Sequence, residues 1–170
     1  KKGARVVLND SKPLESFNGK LDALIAQGAQ PRFGCPADQA WAGCDMMVIS
    51  PGISVDAPFV RQAQAAGIAV TGELELGFTQ AQGLILGVTG TNGKTTTTTL
   101  VGEIFKNAGK LSYLAGNIGI PLCQQALAAK PEDVIVVEIS SFQMETADTF
   151  HPHCCALLNI TEDHLNRHGT

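Results

Sequence analysis

The stretch Gly87-Val88-Thr89-Gly90-Thr91-Asn92-Gly93-Lys94-Thr95-Thr96 constrains the fold more than any other part of this chain. It follows an apolar run, Leu84-Ile85-Leu86-Gly87-Val88, that reads as a buried strand. It precedes a helix predicted to end near Gly109, with Leu100, Val101, Ile104 and Phe105 as its core face. A strand, a glycine turn and a helix in succession make a favourable phosphate site. Glycines let the backbone turn tightly, so that successive N–H groups point toward one ligand. A helix starting near Lys94 adds unpaired N–H groups and the positive end of its dipole. Lys94 can reach β- and γ-phosphates, and the Thr95 hydroxyl suits a Mg²⁺ ion held on them. Threonine is a poor helix former because β-branching restricts χ1. The threonine run at 95–99 therefore points to hydroxyls wanted for contacts rather than for helix propensity. The loop is a variant of G-x-x-x-x-G-K-[ST], because Val88 stands where that pattern has its first glycine. A dinucleotide fingerprint, G-x-G-x-x-G, fits less well and leaves Lys94 without a role.

The rest of the chain alternates in the same way. Residues 5–9, Met46–Ile49 and residues 68–70 read as buried strands, and so do residues 134–137 and 156–160. Leu21, Leu24 and Ile25 ahead of Gly28 have helical spacing, and a second helix is predicted from Asp56 to about Ala66 with Pro58 in its first turn. Strands that are continuous apolar runs, alternating with helices, predict an α/β fold with parallel sheets covered on both faces. Residues 73–83 read as a connection, which puts a domain boundary near residue 82 and divides the chain into 1–82 and 83–170.

Composition narrows the function classes. A net charge of −4 offers no basic face for a nucleic acid polymer, yet one glycine loop and one lysine can still hold a nucleotide's phosphates. No run of 18 apolar residues suggests a membrane span. Lys1-Lys2-Gly3 is followed by no apolar signal region, and a start without Met that runs almost directly into a strand reads as a cut. The five cysteines, Cys35, Cys44, Cys123, Cys154 and Cys155, form no C-x-x-C pair and read as small buried residues of a protein in a reducing, cytoplasmic setting.

A second half of the nucleotide site is expected at Glu138, a carboxylate ending the strand 134–137 where open α/β sheets bind ligands. Farther on, Thr161 reads as a helix N-cap with Glu162 and Asp163 in the first turn. His164 and His168 would then share a face, with His164 near the γ-phosphate and metals. H-E-x-x-H is absent, which argues against a zinc protease, and His151 and His153 flanking Pro152 are not expected to bind metal.

Together, the loop 87–96, Gly116-Asn117-Ile118-Gly119-Ile120-Pro121, Glu138-Ile139-Ser140-Ser141-Phe142-Gln143 and Asn159-Ile160-Thr161-Glu162-Asp163-His164-Leu165-Asn166-Arg167-His168 strongly resemble the Mur ligases. Ser50-Pro51-Gly52-Ile53 and Gly72-Glu73-Leu74-Glu75-Leu76 resemble the end of that family's first domain. The resemblance implies an incomplete Rossmann-like N-terminal domain, which binds a UDP-linked substrate, followed by the first part of a P-loop-type central ATPase domain. It implies ATP and Mg²⁺: residues 90–96 (Gly90, Thr91, Asn92, Gly93, Lys94, Thr95 and Thr96) would cradle ATP, and Lys94 would stabilise the transferring phosphoryl group. Thr95, Glu138 and His164 would hold metals. Asn117, Ser140 and Gln143 would orient the substrate, while Asp10, Ser11, Lys12, Ser50, Pro51 and Gly52 would meet its uridine diphosphate. Lys12 departs from the arginine often found there, which removes a bidentate fork.

Ser140-Ser141-Phe142-Gln143 looks most like the branch that joins D-glutamate to UDP-N-acetylmuramoyl-L-alanine through an acyl phosphate. A protein of that branch would be a monomer when full length. Another Mur ligase, a folylpolyglutamate synthase-like ligase and a non-catalytic nucleotide-binding paralogue are the alternatives. The family also has an earlier strand, a metal-bridging lysine and a third, amino-acid-binding domain, none of which is found in these residues. The segment alone is therefore expected to be inactive.

Overall fold

The computed structural model describes residues 3–169. They form two compact units, one built from residues up to Met47 with Asp56–Val70, the other from Val48–Val55 with residues from Thr71 onward.

In the first unit β1 (Val7–Leu8) pairs in parallel with β2 (Gln30–Pro31), Val7 opposite Gln30. Between them lie a 3₁₀ turn at Leu14–Phe17 and α1 (Asp22–Ala26), which buries no residue. A short α2 (Ala37–Ala40) follows. β3 (Met46–Ile49) and β4 (Ala69–Gly72), whose second halves belong to the other unit, form a separate two-stranded sheet, and α3 (Pro58–Ala65) lies between them in sequence. The sequence reading contains no β2 and starts α3 two residues earlier; Ala57 is the N-cap and Pro58 the first helical residue, where a missing N–H costs nothing. Val60 and Ala63 of α3 are fully buried.

The second unit holds the larger core. Its sheet has the order β6 (Ser112–Gly116), β7 (Val134–Glu138), β5 (Leu84–Thr89), β8 (Cys154–Leu157), all parallel. Every residue of β7 is buried, as an inner strand covered on both faces requires. Its alternate residues feed two hydrophobic clusters. Ile135 and Val137 pack with Leu74, Ile85, Leu122 and Ile139, whereas Val134 and Val136 pack with Val88, Val101 and Phe105.

Five helices complete this unit among the described residues. α4 (Glu73–Phe78) and α6 (Leu122–Ala128) supply Leu74 and Leu122 to the first cluster, while α5 (Lys94–Asn107) covers the second. α7 (Ser141–Met144) and α8 (Leu165–His168) are single turns. Among the described residues no helix is long and apolar enough to cross a membrane.

Several expectations need correction. Residues 73–83 are not a plain connection, since α4 occupies their first half and is seated by Leu74 and by the carboxylate of Glu75. The core face of α5 is half the one predicted: Val101 and Phe105 pack on the second cluster, but Leu100 and Ile104 are 59% and 56% exposed, and Thr98 and Gly102 are buried in their place. Gly102 allows close approach, because a Cβ there would lie 2.6 Å from Leu114 Cδ2. β8 ends at Leu157 rather than at residue 160. The cysteines are free but not buried; Cys154 and Cys155 are exposed on β8 and the other three are half-buried.

Candidate functional site

β5 delivers the chain to the phosphate loop and α5 carries it away. Residues 90–93 make the turn, with Gly90 at φ 131° and Gly93, the N-cap of α5, at φ 85°. Both angles are costly for any residue with a Cβ. Gly90 is constrained further by packing, since a Cβ would sit 2.9 Å from the carbonyl oxygen of Asn159. Lys94 folds back over this turn and its Nζ donates to the carbonyls of Gly90 (2.7 Å) and Thr91 (2.9 Å). Phosphate oxygens carry full charge and make stronger acceptors than these neutral carbonyls.

Glu138 closes the inner strand and is 2% exposed. A carboxylate survives there because both of its oxygens are hydrogen-bonded. Thr95 Oγ1 donates to Oε2 at 2.7 Å and Asn117 Nδ2 donates to Oε1 at 2.9 Å. The Asn117 backbone N–H also donates to the Glu138 carbonyl at 2.8 Å. The first turn of α5, the carboxyl end of β7 and the turn after β6 are thereby joined at one carboxylate. The hydroxyl and carboxylate oxygens are hard donors of the kind Mg²⁺ takes. Among the described residues, no group of three or more His, Cys, Asp or Glu is arranged to hold a metal.

α7 opens with a capping box. Ser140 Oγ accepts from the Gln143 N–H at 3.3 Å, and Gln143 Oε1 accepts from the Ser140 N–H at 2.9 Å. Phe142, the next residue after Ser141, forms a platform with His164 and His168 at ring-centroid distances of 4.8 Å and 5.4 Å. The Arg167 guanidinium lies 5.5 Å from the same ring and is paired with the Glu145 carboxylate. Thr161 is not a helix N-cap. That position belongs to His164, held in the left-handed region at φ 50°, so Glu162 and Asp163 precede the helix. His153 is engaged structurally, its Nδ1 accepting from the Ile85 N–H at 3.1 Å.

Two clefts of the second unit collect half of the site residues singled out from sequence. One, of about 720 Å³, is lined by Gly90, Thr91 and Lys94 from the loop and by Asn117, Ser140 and His164 from facing segments. Another, of about 360 Å³, is lined by Ser50, Pro51, Glu73, Asn117 and Gln143. Asn117 borders both. Gly52, Asn92, Gly93, Thr95 and Thr96 are exposed and line neither, and nor does the buried Glu138. Asp10, Ser11 and Lys12 belong to the first unit, where Asp10 Oδ1 accepts from the Lys12 N–H at 2.9 Å in a local turn.

Sequence reasoning missed Asn159 and Phe142. Asn159 reaches under the loop: its side chain pairs with the backbone of Asn92, and its carbonyl accepts from the Thr91 N–H at 3.0 Å. Its signal was an asparagine closing an apolar strand next to a glycine loop in space, a juxtaposition that only the sheet order reveals.

Comparison with known proteins gives this geometry a family. Residues 88–170 match the Mur ligase middle domain. The chain is 48% identical over 170 residues to the UDP-N-acetylmuramoylalanine--D-glutamate ligase of Alkaliphilus metalliredigens, and 50% identical to that of Pelotomaculum thermopropionicum. The matches take in 99% and 100% of this chain but 37% of each relative, so the chain spans little more than a third of their length. Among solved structures, the UDP-N-acetylmuramate:L-alanyl-gamma-D-glutamyl-meso-diaminopimelate ligase of Neisseria meningitides matches with a TM-score of 0.58 at 22% identity, over 97% of this chain and 56% of that one. That likeness speaks to the fold alone. From the matched domain and the relatives that cover it end to end, this chain belongs to the Mur ligase family.

Proposed function

We propose that the full-length protein carrying this chain is an ATP-dependent ligase that adds D-glutamate to UDP-N-acetylmuramoyl-L-alanine during peptidoglycan precursor synthesis in the cytoplasm. It would act as a monomer, with residues 1–82 serving the UDP-linked substrate and 83–170 serving ATP. The observation that carries the reading is Asn117, which lines the cleft beside Lys94 and donates to Glu138, the buried carboxylate that also accepts from Thr95. The identity to D-glutamate ligases chooses the substrates.

A free carboxylate is a poor acyl donor, because an oxide leaving group is too basic. In the proposed reaction a carboxylate oxygen of the alanyl group attacks the γ-phosphorus of ATP, the bond to ADP breaks, and an acyl phosphate results. The amine of D-glutamate then attacks the carbonyl carbon and inorganic phosphate leaves. Residues 90–96 form the loop and helix start at which the polyphosphate is held. Lys94 exchanges its two carbonyl partners for phosphate oxygens, placing a fixed positive charge where negative charge is redistributed. Mg²⁺ held by Glu138 and Thr95, with a second ion helped by His164, would neutralise phosphate charge. Asn117, Ser140 and Gln143 orient the muramoyl–alanine end, and Asp10, Ser11, Lys12 and residues 50–52 meet the diphosphate.

The test is turnover by the full-length protein with both substrates, read as ADP release. Lys94→Ala should lower it about 100-fold or more, as expected for removing a charge aimed at the transition state. Near-normal turnover in that variant would overturn the reading, and a preference for L-alanine or meso-diaminopimelate over D-glutamate would reassign the acceptor.

A further inference from the structure

We propose that Asn159 is a positioning residue for the nucleotide: it holds the phosphate loop in its receptive shape and takes up two of the loop's amides, leaving the phosphate cradle to residues 93–96. The proposal rests on the nucleotide reading of the loop given above and assigns its geometry.

Asn159 engages the loop at three atoms. Its Oδ1 accepts from the Asn92 N–H at 2.8 Å, its Nδ2 donates to the Asn92 carbonyl at 2.9 Å, and its own carbonyl accepts from the Thr91 N–H at 3.0 Å. A side-chain amide offers a donor and an acceptor side by side, and so matches the N–H and C=O of one residue as a neighbouring strand would. Aspartate would turn a second acceptor toward the Asn92 carbonyl. Gly90 completes the seat by allowing the Asn159 backbone within Cβ range. Thr91 Oγ1 extends it, accepting from the Thr161 N–H at 3.0 Å and donating to the Thr161 carbonyl at 3.2 Å.

Two consequences follow. The N–H groups of Thr91 and Asn92 already have acceptors, whereas those opening α5 have none within the helix. The phosphates therefore meet Gly93, Lys94, Thr95 and Thr96, at the helix end where the dipole also favours them. Asn159 is itself exposed, so its truncation opens no core cavity and its effect is confined to the loop.

The experiment uses the full-length protein and compares Asn159→Ala, Asn159→Asp and Lys94→Ala with wild type. It reads the Kd of a non-hydrolysable ATP analogue by calorimetry, the Kd of UDP-N-acetylmuramoyl-L-alanine, and Tm. Asn159→Ala should weaken the nucleotide about tenfold, the scale of two lost hydrogen bonds. Asn159→Asp should weaken it at least as much, while Tm and the affinity for the UDP-linked substrate stay at wild-type values. The inference is overturned if the analogue binds Asn159→Ala as tightly as wild type while Lys94→Ala binds it poorly, an outcome that leaves the nucleotide reading standing. It is also overturned if both ligands weaken in parallel with a fall in Tm, which would mark Asn159 as a general structural residue. If Lys94→Ala binds the analogue normally, the nucleotide reading itself fails.

Discussion

Glu138 is the residue on which the site turns. Its carboxylate is buried and tolerated because Thr95 and Asn117 each donate to one oxygen. Glu138→Gln keeps the volume and one acceptor, but it sets an NH₂ group against one of the two donors and removes the charge. On the proposed reading, ADP release by the full-length variant should fall about 100-fold or more while circular dichroism stays native. Retained turnover would show that this carboxylate serves the fold alone. Cys123 shows the opposite local chemistry. Burial, reinforced by the neighbouring Glu73 carboxylate and its hydrogen bond, pushes that thiol up to about 12. At pH 8 it remains a thiol and should resist iodoacetamide in the native state, reacting only after denaturation; mass spectrometry of alkylated peptides checks this.

At the scale of elements, α4 shows how a short helix is held by one acid. Glu75 is 8% exposed and accepts from the N–H groups of Asp148 (2.9 Å), Thr149 (3.1 Å) and Phe150 (3.0 Å), and from the Thr149 hydroxyl. Burial raises its pKa, but the Thr149 hydroxyl and the three backbone donors outweigh that and hold it below the ordinary value. A depressed carboxyl pKa contributes stability that is present above the unfolded value and lost as pH falls through the folded one. Glu75→Gln should therefore cost about 1–3 kcal/mol near neutrality. The gap to wild type should close as pH drops below about 4.5, the ordinary value, when urea unfolding is followed across that range.

The same element marks the limit of sequence reading. α4 is six residues long, contains Gly77 and has no side-chain cap, so its periodicity is too brief to register, and its anchor lies more than seventy residues away. Only Val101 and Phe105 of the α5 face were legible, because its fully buried positions are Thr98 and Gly102, small residues that allow close approach rather than add hydropathy. β8 was drawn too long because Leu158 and Ile160 continue its apolar run, while the chain leaves the sheet after Leu157 and brings Asn159 beneath the loop. By contrast, β7 was legible because a buried parallel strand is an uninterrupted apolar run; β3 carries the same kind of run, but Met46 and Val48 are about half exposed and only Ile49 is buried. The phosphate loop was legible because its chemistry is local in sequence.

For the molecule as a whole, the question is whether the site assembled in the second unit performs the chemistry proposed for the full-length protein. The chain spans 37% of the length of its D-glutamate ligase relatives, so the answer belongs to the longer protein. An acyl phosphate leaves a distinctive atom balance: the oxygen displaced from the substrate carboxylate departs with the phosphate. The most direct measurement is ligation by the full-length protein of UDP-N-acetylmuramoyl-L-alanine labelled with ¹⁸O in its carboxylate, followed by mass spectrometry of the inorganic phosphate. Transfer of one labelled oxygen to phosphate for each amide bond formed is the predicted result. Amide formation with unlabelled phosphate, or ADP release without ligation of D-glutamate, would contradict it.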